Sequence, residues 1–137
     1  MMRKLLRTRS NNGGQASVEF LLSGLLCVTM IFAAVQMIIF IYTYTVLAQA
    51  AKVGVRYAVV HGANNASPSG PGNTTGVEAA VNRIANYSGM TITVTYPDGS
   101  NSPPNRVRVQ IAYPFTTFSL GWTLPTVRAS GLGRITF

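Results

Sequence analysis

Residues 15–60 read QASVEFLLSGLLCVTMIFAAVQMIIFIYTYTVLAQAAKVGVRYAVV and contain no proline. Within this stretch, the 32 residues from Phe20 to Ala51 carry no charge, whereas about 20 apolar residues are enough to cross the hydrocarbon layer of a membrane. The stretch therefore predicts a transmembrane helix over about residues 20–45. Since the 46 residues would extend over roughly 70 Å at about 1.5 Å each, the second half must pack on something outside the lipid.

The second half of the stretch is amphipathic. After Tyr44, apolar residues recur at alternating spacings of four and three, and basic residues fall on another face, as is typical of a surface helix. His61 and Gly62 follow the last of these apolar residues and are suited to a helix end. We therefore expect one long helix over residues 15–61. Its first half lies in the membrane, and its second half packs against a folded head.

The residues after this helix predict a small α+β head over residues 77–137. A polar stretch, residues 62–76, is expected to form a flexible surface loop. Four further segments carry signals: a short amphipathic helix over 77–87, alternating strands over 90–96 and 106–113, and a last strand over 127–137. The link between the first two strands opens with Asp-Gly, which predicts a long hairpin loop and antiparallel pairing. Residues 114–126 are expected to be irregular.

The composition is that of a membrane protein. Of the 137 residues, 47% are hydrophobic and 10% are charged, against about 25% charged in a soluble domain, and these values exclude a disordered or disulfide-rich chain. The formal net charge is +8, and four basic residues precede the apolar run. By the positive-inside rule, residues 1–14 are a cytoplasmic leader and the head lies outside. Since the other basic residues are scattered, nucleic acid is not an expected partner.

No catalytic or metal site is predicted. An enzyme needs acids, bases or nucleophiles that converge in a pocket, but the acidic residues beyond the membrane stretch are only Glu78 and Asp98, and the one histidine is His61. Cys27, the single cysteine, lies in the apolar run and allows no intramolecular disulfide or cysteine cluster. We therefore expect no enzymatic activity, no cofactor and no small-molecule substrate.

Glu19 is the one charged residue at the start of the apolar run. Ionisable residues beside lipid are costly and commonly functional, although a carboxylate near a helix N-terminus also complements the helix dipole. If the chain is cut after Gly14, Gln15 acquires a positive amine and Glu19 becomes the fifth residue of the mature chain. In a stagger of parallel helices, the carboxylate of one subunit can then neutralise the amine of another in a low-dielectric environment. This arrangement is a mechanism for assembly.

Two strings of residues resemble a known family. Residues 14–20 read GQASVEF, and residues 50–58 read AAKVGVRYA. They are similar to the N-terminal motif and to the helix end of the TadE-type pseudopilins of tight-adherence (Flp) pili. The likeness covers about residues 13–60, and Lys52 stands where arginine is frequent in that family.

The resemblance implies a pilin-like α+β fold and a role as a minor pseudopilin in the assembly of an adhesive pilus or a related secretion filament. It implies that prepilin peptidase cuts between Gly14 and Gln15, while Gly13 allows a cut one bond earlier. Glu19, followed by Phe20, would then guide processing or subunit packing. The implied partners are the inner membrane, which the chain crosses once, the peptidase, other pilins and pseudopilins, and the inner-membrane assembly platform.

A second hypothesis comes from another class: an uncleaved, single-pass membrane protein whose head recognises an extracellular ligand such as DNA or polysaccharide. Arg106 and Arg108 alternate with apolar residues on a predicted strand and therefore share one face. An ordinary solvated sheet face explains the same alternation. The two arginines are the candidate binding residues of this hypothesis.

Overall fold

The computed structural model describes residues 13–116 and 126–136. Within these ranges, two helices precede three strands: α1 Gly13–Val60, α2 Thr75–Asn82, β1 Thr91–Thr95, β2 Arg106–Tyr113 and β3 Val127–Arg134. The strands form one antiparallel sheet in the order β1-β2-β3. This architecture confirms the predicted α+β class with a long N-terminal helix, a short helix and a small antiparallel sheet.

The part of α1 up to Met37 belongs to a compact unit of its own. Its large apolar side chains are exposed, and α1 is long and apolar enough to cross a membrane. The hydroxyl group of Thr29 donates a hydrogen bond of 2.7 Å to the carbonyl oxygen of Leu25, so this polar side chain is satisfied within the helix. Such a surface is stable in lipid, because lipid tails are as apolar as the side chains they surround.

The second unit, Ile38–Phe137, holds the hydrophobic core. α1 contributes buried residues at helical spacing: Leu47, Ala50, Ala51, Val55 and Ala58. β2 contributes alternate residues that are fully buried: Val107, Val109 and Ile111. α2 adds Val77 and Val81. Burial follows the period of a helix in α1 and the period of two in β2, so the second half of α1 is a core element of the head.

β2 is the central strand of the sheet. Its residue Gln110 is opposite Thr93 of β1 on one side and opposite Ser130 of β3 on the other. The antiparallel pairing of β1 with β2 across a long connection agrees with the prediction from the sequence. Directly opposite residues point to the same face of a sheet. One face therefore packs into the core, and the face with the polar side chains is exposed.

α2 differs from the helix expected over residues 77–87. It begins at Thr75 and ends at Asn82. Tyr87 therefore lies outside the helix, where its ring contacts that of Tyr113 in β2 with centroids 5.2 Å apart. This tertiary contact and the return of the chain to β1 override the helical periodicity that continues in the sequence beyond Asn82.

β3 ends at Arg134, before the end of the predicted strand. The N–H group of Ile135 donates a hydrogen bond of 2.8 Å to the carbonyl oxygen of Asn105, and the Ile135 side chain is buried. The chain therefore leaves the sheet to close the core beside the β1–β2 connection. The irregular segment expected over 114–126 falls largely on residues 117–125, which lie outside the described residues.

The glycines of β3 allow the strand to approach α1. A Cβ atom added at Gly131 would lie 2.9 Å from Cγ2 of Val55 and 3.3 Å from the carbonyl oxygen of Ala51. An atom added at Gly133 would meet the Val55 side chain as well. Glycine has a low intrinsic preference for strands, and within a strand it commonly marks a place where another backbone comes close. Here the close neighbour is α1.

Hydrogen bonds tie the polar connection between α1 and α2 to the head. Ser69 is buried, and both its N–H group and its hydroxyl donate to the carbonyl oxygen of His61, at 2.7 and 3.1 Å. The side chain of Asn101, in the β1–β2 connection, donates to the carbonyl oxygen of Ser69 at 2.9 Å. These bonds join the two polar connections near the end of α1.

Candidate functional site

The predicted processing site lies in the part of α1 nearest the N-terminus that the structure describes. Gly14 and Gln15 are helical and exposed, and nothing lies within 4 Å of a Cβ atom added at Gly14. The segment is open to an approaching protein. Cleavage between Gly14 and Gln15 stays a prediction.

Glu19 and Phe20 lie one turn further along α1 and are also exposed, Phe20 to 78%. Gln15 and Glu19 are four residues apart and therefore share a helix face. Within residues 13–116 and 126–136, the ion pair joins Asp98 and Arg106 and does not involve Glu19. The carboxylate is thus on the outside of the helix, where a positive group of another molecule can reach it.

The second motif, residues 50–58, forms the contact between α1 and the rest of the head. Its small residues are buried: Ala50, Ala51, Gly54 and Ala58. A Cβ atom added at Gly54 would lie 2.6 Å from Cγ2 of Val81 in α2 and 3.3 Å from Cγ1 of Val109 in β2. Small side chains at spacings of three and four therefore let α1 pack closely on both α2 and the sheet.

Both motifs lie on the same continuous helix. Residues 14–56 match the TadE-like protein family. The match confirms the resemblance that the two motifs carry, and it lies entirely on α1. This TadE-like segment is less than half of the 137-residue chain. Comparison with curated proteins and with solved structures gives no match.

The TadE-like family that this segment matches is a pilus-associated structural family and is not known for enzymatic activity. The acidic residues outside the segment have local partners. Glu78 accepts a hydrogen bond of 2.6 Å from the hydroxyl of Thr74, and Asp98 forms an ion pair within the β1–β2 hairpin. In the part of the chain that the structure describes, no three metal-binding side chains come together.

His61 closes α1 just beyond the TadE-like segment. Its Nδ1 lies 2.9 Å from the carbonyl oxygen of Tyr57, and the two rings stack with centroids 3.9 Å apart and planes 10° apart. The Tyr57 ring also covers Gly76 in α2, where an added Cβ atom would lie 2.6 Å from the tyrosine hydroxyl oxygen. His61 is thus a helix-end residue, as its sequence position predicts. Together with Tyr57, it joins the end of α1 to the start of α2.

Asp98 binds Arg106 across the β1–β2 connection. Its Oδ1 accepts a hydrogen bond of 2.9 Å from the guanidinium Nη2, and its Oδ2 accepts bonds from Nε at 3.2 Å and from the Arg106 backbone N–H at 2.8 Å. The guanidinium bonds first, and the backbone bond second, lower the pKa of Asp98 from 3.8 to about 2. The carboxylate in turn raises the pKa of Arg106. Arg106 is therefore engaged inside the hairpin.

Arg108, the other predicted anion-binding residue, is exposed on the polar face of the sheet. The register extends this face to β3, where Arg134 is directly opposite Arg106 and Arg128 lies further along the same face. The exposed sheet face thus carries four arginines. Like charges directly opposite each other repel. Asp98 reduces the repulsion between Arg106 and Arg134, because it forms an ion pair with Arg106.

Sequence reasoning found neither the packing role of the small residues in α1 nor the arginines of β3. The small residues carry a signal, because Ala50, Gly54 and Ala58 recur every four residues and so share a helix face. Arg128 and Arg134 carry no comparable signal, since the pairing that places them beside β2 depends on the register of the folded sheet.

Proposed function

We propose that this chain is a minor pseudopilin of a tight-adherence pilus or a related secretion filament. Prepilin peptidase processes it between Gly14 and Gln15, and the mature subunit acts in pilus assembly and adhesion. The observation that carries the proposal is the position of Glu19, an exposed carboxylate at the start of an exposed apolar helix that matches the TadE-like family. The subunit has no catalytic role of its own, because the peptidase supplies the chemistry.

The exposed apolar surface of α1 before Met37 supports this proposal. Phe20, Leu25 and Ile31 are exposed to 78%, 66% and 63%. Before assembly, these side chains contact lipid, with the leader in the cytoplasm and the head outside the inner membrane. In a filament, they contact the helices of other subunits. Both environments are apolar, so the transfer from one to the other has no large hydrophobic cost.

The proposed role of Glu19 is charge neutralisation between subunits. Cleavage gives Gln15 a positive amine, and the carboxylate of Glu19 in a staggered neighbour can pair with it. Two opposite charges in a low-dielectric environment attract strongly, and each bears a desolvation cost when it is alone. A subunit that enters the filament with correct stagger is thereby favoured over one that enters out of register.

The test of processing is the intact mass of the full chain, extracted from membranes with and without a co-expressed prepilin peptidase. Loss of residues 1–14 only with the peptidase is the expected result, and a full-length mass in both samples would overturn the processing step. We expect Glu19→Gln to leave membrane insertion intact but to reduce processing or incorporation into filaments. Glu78→Gln removes a carboxylate from the head and is the control. Wild-type processing and piliation by Glu19→Gln would contradict its proposed role.

A second candidate function is an uncleaved, membrane-anchored binding module for a polyanion such as DNA or an acidic polysaccharide. The four arginines on one sheet face favour it, and Arg108 is the best probe because Asp98 engages Arg106 instead. We expect the full chain to bind the polyanion with an affinity that falls steeply as the salt concentration rises. Arg108→Gln should lose this binding, whereas the control Arg83→Gln, at the end of α2, should keep it. No binding at low salt would exclude this function.

A further inference from the structure

The second half of α1 presents two faces, and the core of the head covers one of them. The covered face runs from Leu47 to Ala58. The other face lines a groove on the surface of the head, with these residues: Val53, Arg56, Tyr57, Val60 and His61. Their spacing is i, i+3, i+4, i+7 and i+8, by which a helix commonly meets a packing partner. One face of α1 is thus packed in the core, and a second face has the spacing of a packed one.

The other wall of the groove comes from α2 and from the turn that follows it. Three residues at helical spacing form this wall: Ala80, Arg83 and Ile84. The turn after α2 stays helical, because the N–H group of Ala85 donates a hydrogen bond of 3.0 Å to the carbonyl oxygen of Val81. The groove therefore lies between two helical segments, both within the unit Ile38–Phe137. We call it the α1–α2 groove.

The α1–α2 groove gathers apolar side chains that are open to solvent. Val53, Val60 and Ile84 are 38%, 43% and 45% exposed. Among the described residues after position 45, the other large apolar side chain that is exposed is Leu132, on the exposed face of the sheet. Exposed apolar side chains that are scattered singly are ordinary, whereas a contiguous group is typical of an interaction site. The groove is such a group in the head.

Two arginines in the groove are open to an anion. Arg56 belongs to the α1 wall and Arg83 to the α2 wall, and both are exposed. Within residues 13–116 and 126–136, the ion pair joins Asp98 and Arg106 and involves neither of them. Among the described residues that line the groove, none is acidic. A partner that brings carboxylates together with apolar side chains therefore complements both the charge and the surface of the groove.

We propose that the α1–α2 groove binds an acidic, amphipathic helix of a second protein. The apolar side chains of that helix pack between Val53 and Ile84, and its carboxylates pair with Arg56 and Arg83. Amphipathic helices commonly lay their apolar face into a groove, with anchors at i, i+3, i+4 and i+7. From Val53 to Val60 the groove follows α1 for about 10 Å, which is two helical turns. The docking needs the folded head, and it needs neither processing nor a filament.

The charges of the chain favour a different protein over a second copy. The chain has three acidic residues, of which Glu19 lies in α1, Glu78 in α2 and Asp98 after β1. Each helix therefore carries one carboxylate, whereas the groove holds two arginines. Glu78 already accepts a hydrogen bond of 2.6 Å from the hydroxyl of Thr74. With a formal net charge of +8, two copies also repel each other, whereas an acidic partner is attracted.

The test is photo-crosslinking of the full chain in cells that make its native partners. p-Benzoylphenylalanine replaces Ile84 in the groove or, as the matched control, Leu132 on the sheet; these side chains are 45% and 57% exposed. We expect residue 84 to crosslink to a second protein, at a segment in which acidic and apolar residues recur every three or four positions. Residue 132 should not give this product. The intact mass of the same chain reports processing separately, so that a failure of docking is distinguishable from a failure of processing.

Charge reversal tests the role of the arginines. Arg56→Glu should lower the yield of the residue 84 product about tenfold, and an exchange of glutamate for arginine in the crosslinked segment should restore it. Arg134→Glu changes the net charge equally on the exposed sheet face and should leave the yield unchanged. Both arginines are exposed, so these replacements leave the core intact.

Several outcomes would overturn the proposal. A residue 84 product that is a dimer of this chain would assign the groove to a second copy, and a product with lipid alone would assign it to the membrane. The absence of any product at residue 84, or a crosslinked segment without acidic residues, would also contradict it. The same holds for a yield that Arg56→Glu leaves unchanged.

Discussion

Gly54 of α1 and Val81 of α2 lie so close together that a Cβ atom at residue 54 would be 2.6 Å from Cγ2 of the valine. Non-bonded carbon atoms prefer separations of about 3.5–4.0 Å, so the helices can meet in this way only because residue 54 has no side chain. The TadE-like segment therefore contains part of the head's packing surface in addition to the apolar anchor.

Gly54→Ala is expected to destabilise the head by about 1–3 kcal/mol, because the added methyl group overpacks the contact with α2. Gly24→Ala is the matched control, since it lies in the same helix and nothing is within 4 Å of its added Cβ atom. The measurement is chemical denaturation in detergent, followed by near-ultraviolet circular dichroism. Equal unfolding midpoints for the two variants would contradict the packing argument.

Phe115→Ala is expected to lower the free energy of unfolding of the head by about 3–5 kcal/mol, as is usual for a buried phenylalanine. The ring is 6% exposed and packs edge-on against Phe40. Phe32→Ala, at a position 53% exposed in α1, removes the same side chain without opening a cavity in the head and should have little effect. Denaturation curves of the two variants in the same detergent check the difference.

Asp98→Asn is expected to lower the thermal midpoint of the head at pH 6. The bonds from Arg106 depress the pKa of Asp98 from 3.8 to about 2, so their contribution is present above pH 4 and is lost as the pH falls through about 2. The difference between the variant and the wild type should therefore disappear near pH 2. A difference that is constant from pH 6 to pH 2 would show that the carboxylate charge is not its cause.

Ser69→Ala is expected to cost about 1–3 kcal/mol of stability, because it removes a buried hydroxyl that the surrounding groups bind. That hydroxyl donates to the carbonyl oxygen of His61 and accepts a bond of 3.4 Å from the buried hydroxyl of Tyr96. Ser67→Ala, two residues earlier and exposed, is the control. Similar losses of stability in both variants, measured by denaturation, would contradict the role assigned to Ser69.

The amino-acid sequence by itself determined the elements that depend on local pattern. The apolar run of α1, the alternation over Arg106–Tyr113 and the Asp-Gly at the start of the hairpin connection are properties of neighbouring residues. The same is true of the motif around Glu19, which led to the TadE-like family. Each of these signals is complete within a short stretch of chain and needs no knowledge of what packs against it.

Only the tertiary structure decided where the elements end and which faces meet. The contact of Tyr87 with Tyr113 ends the helical pattern after Asn82, and the pairing of β3 with β2 gathers the arginines on one face. The edge-on contact of Phe40 with Phe115 joins α1 to the residues that follow β2. The physical reason is that such contacts join residues distant in the chain, whose faces are selected by close packing of the whole core and not by local periodicity.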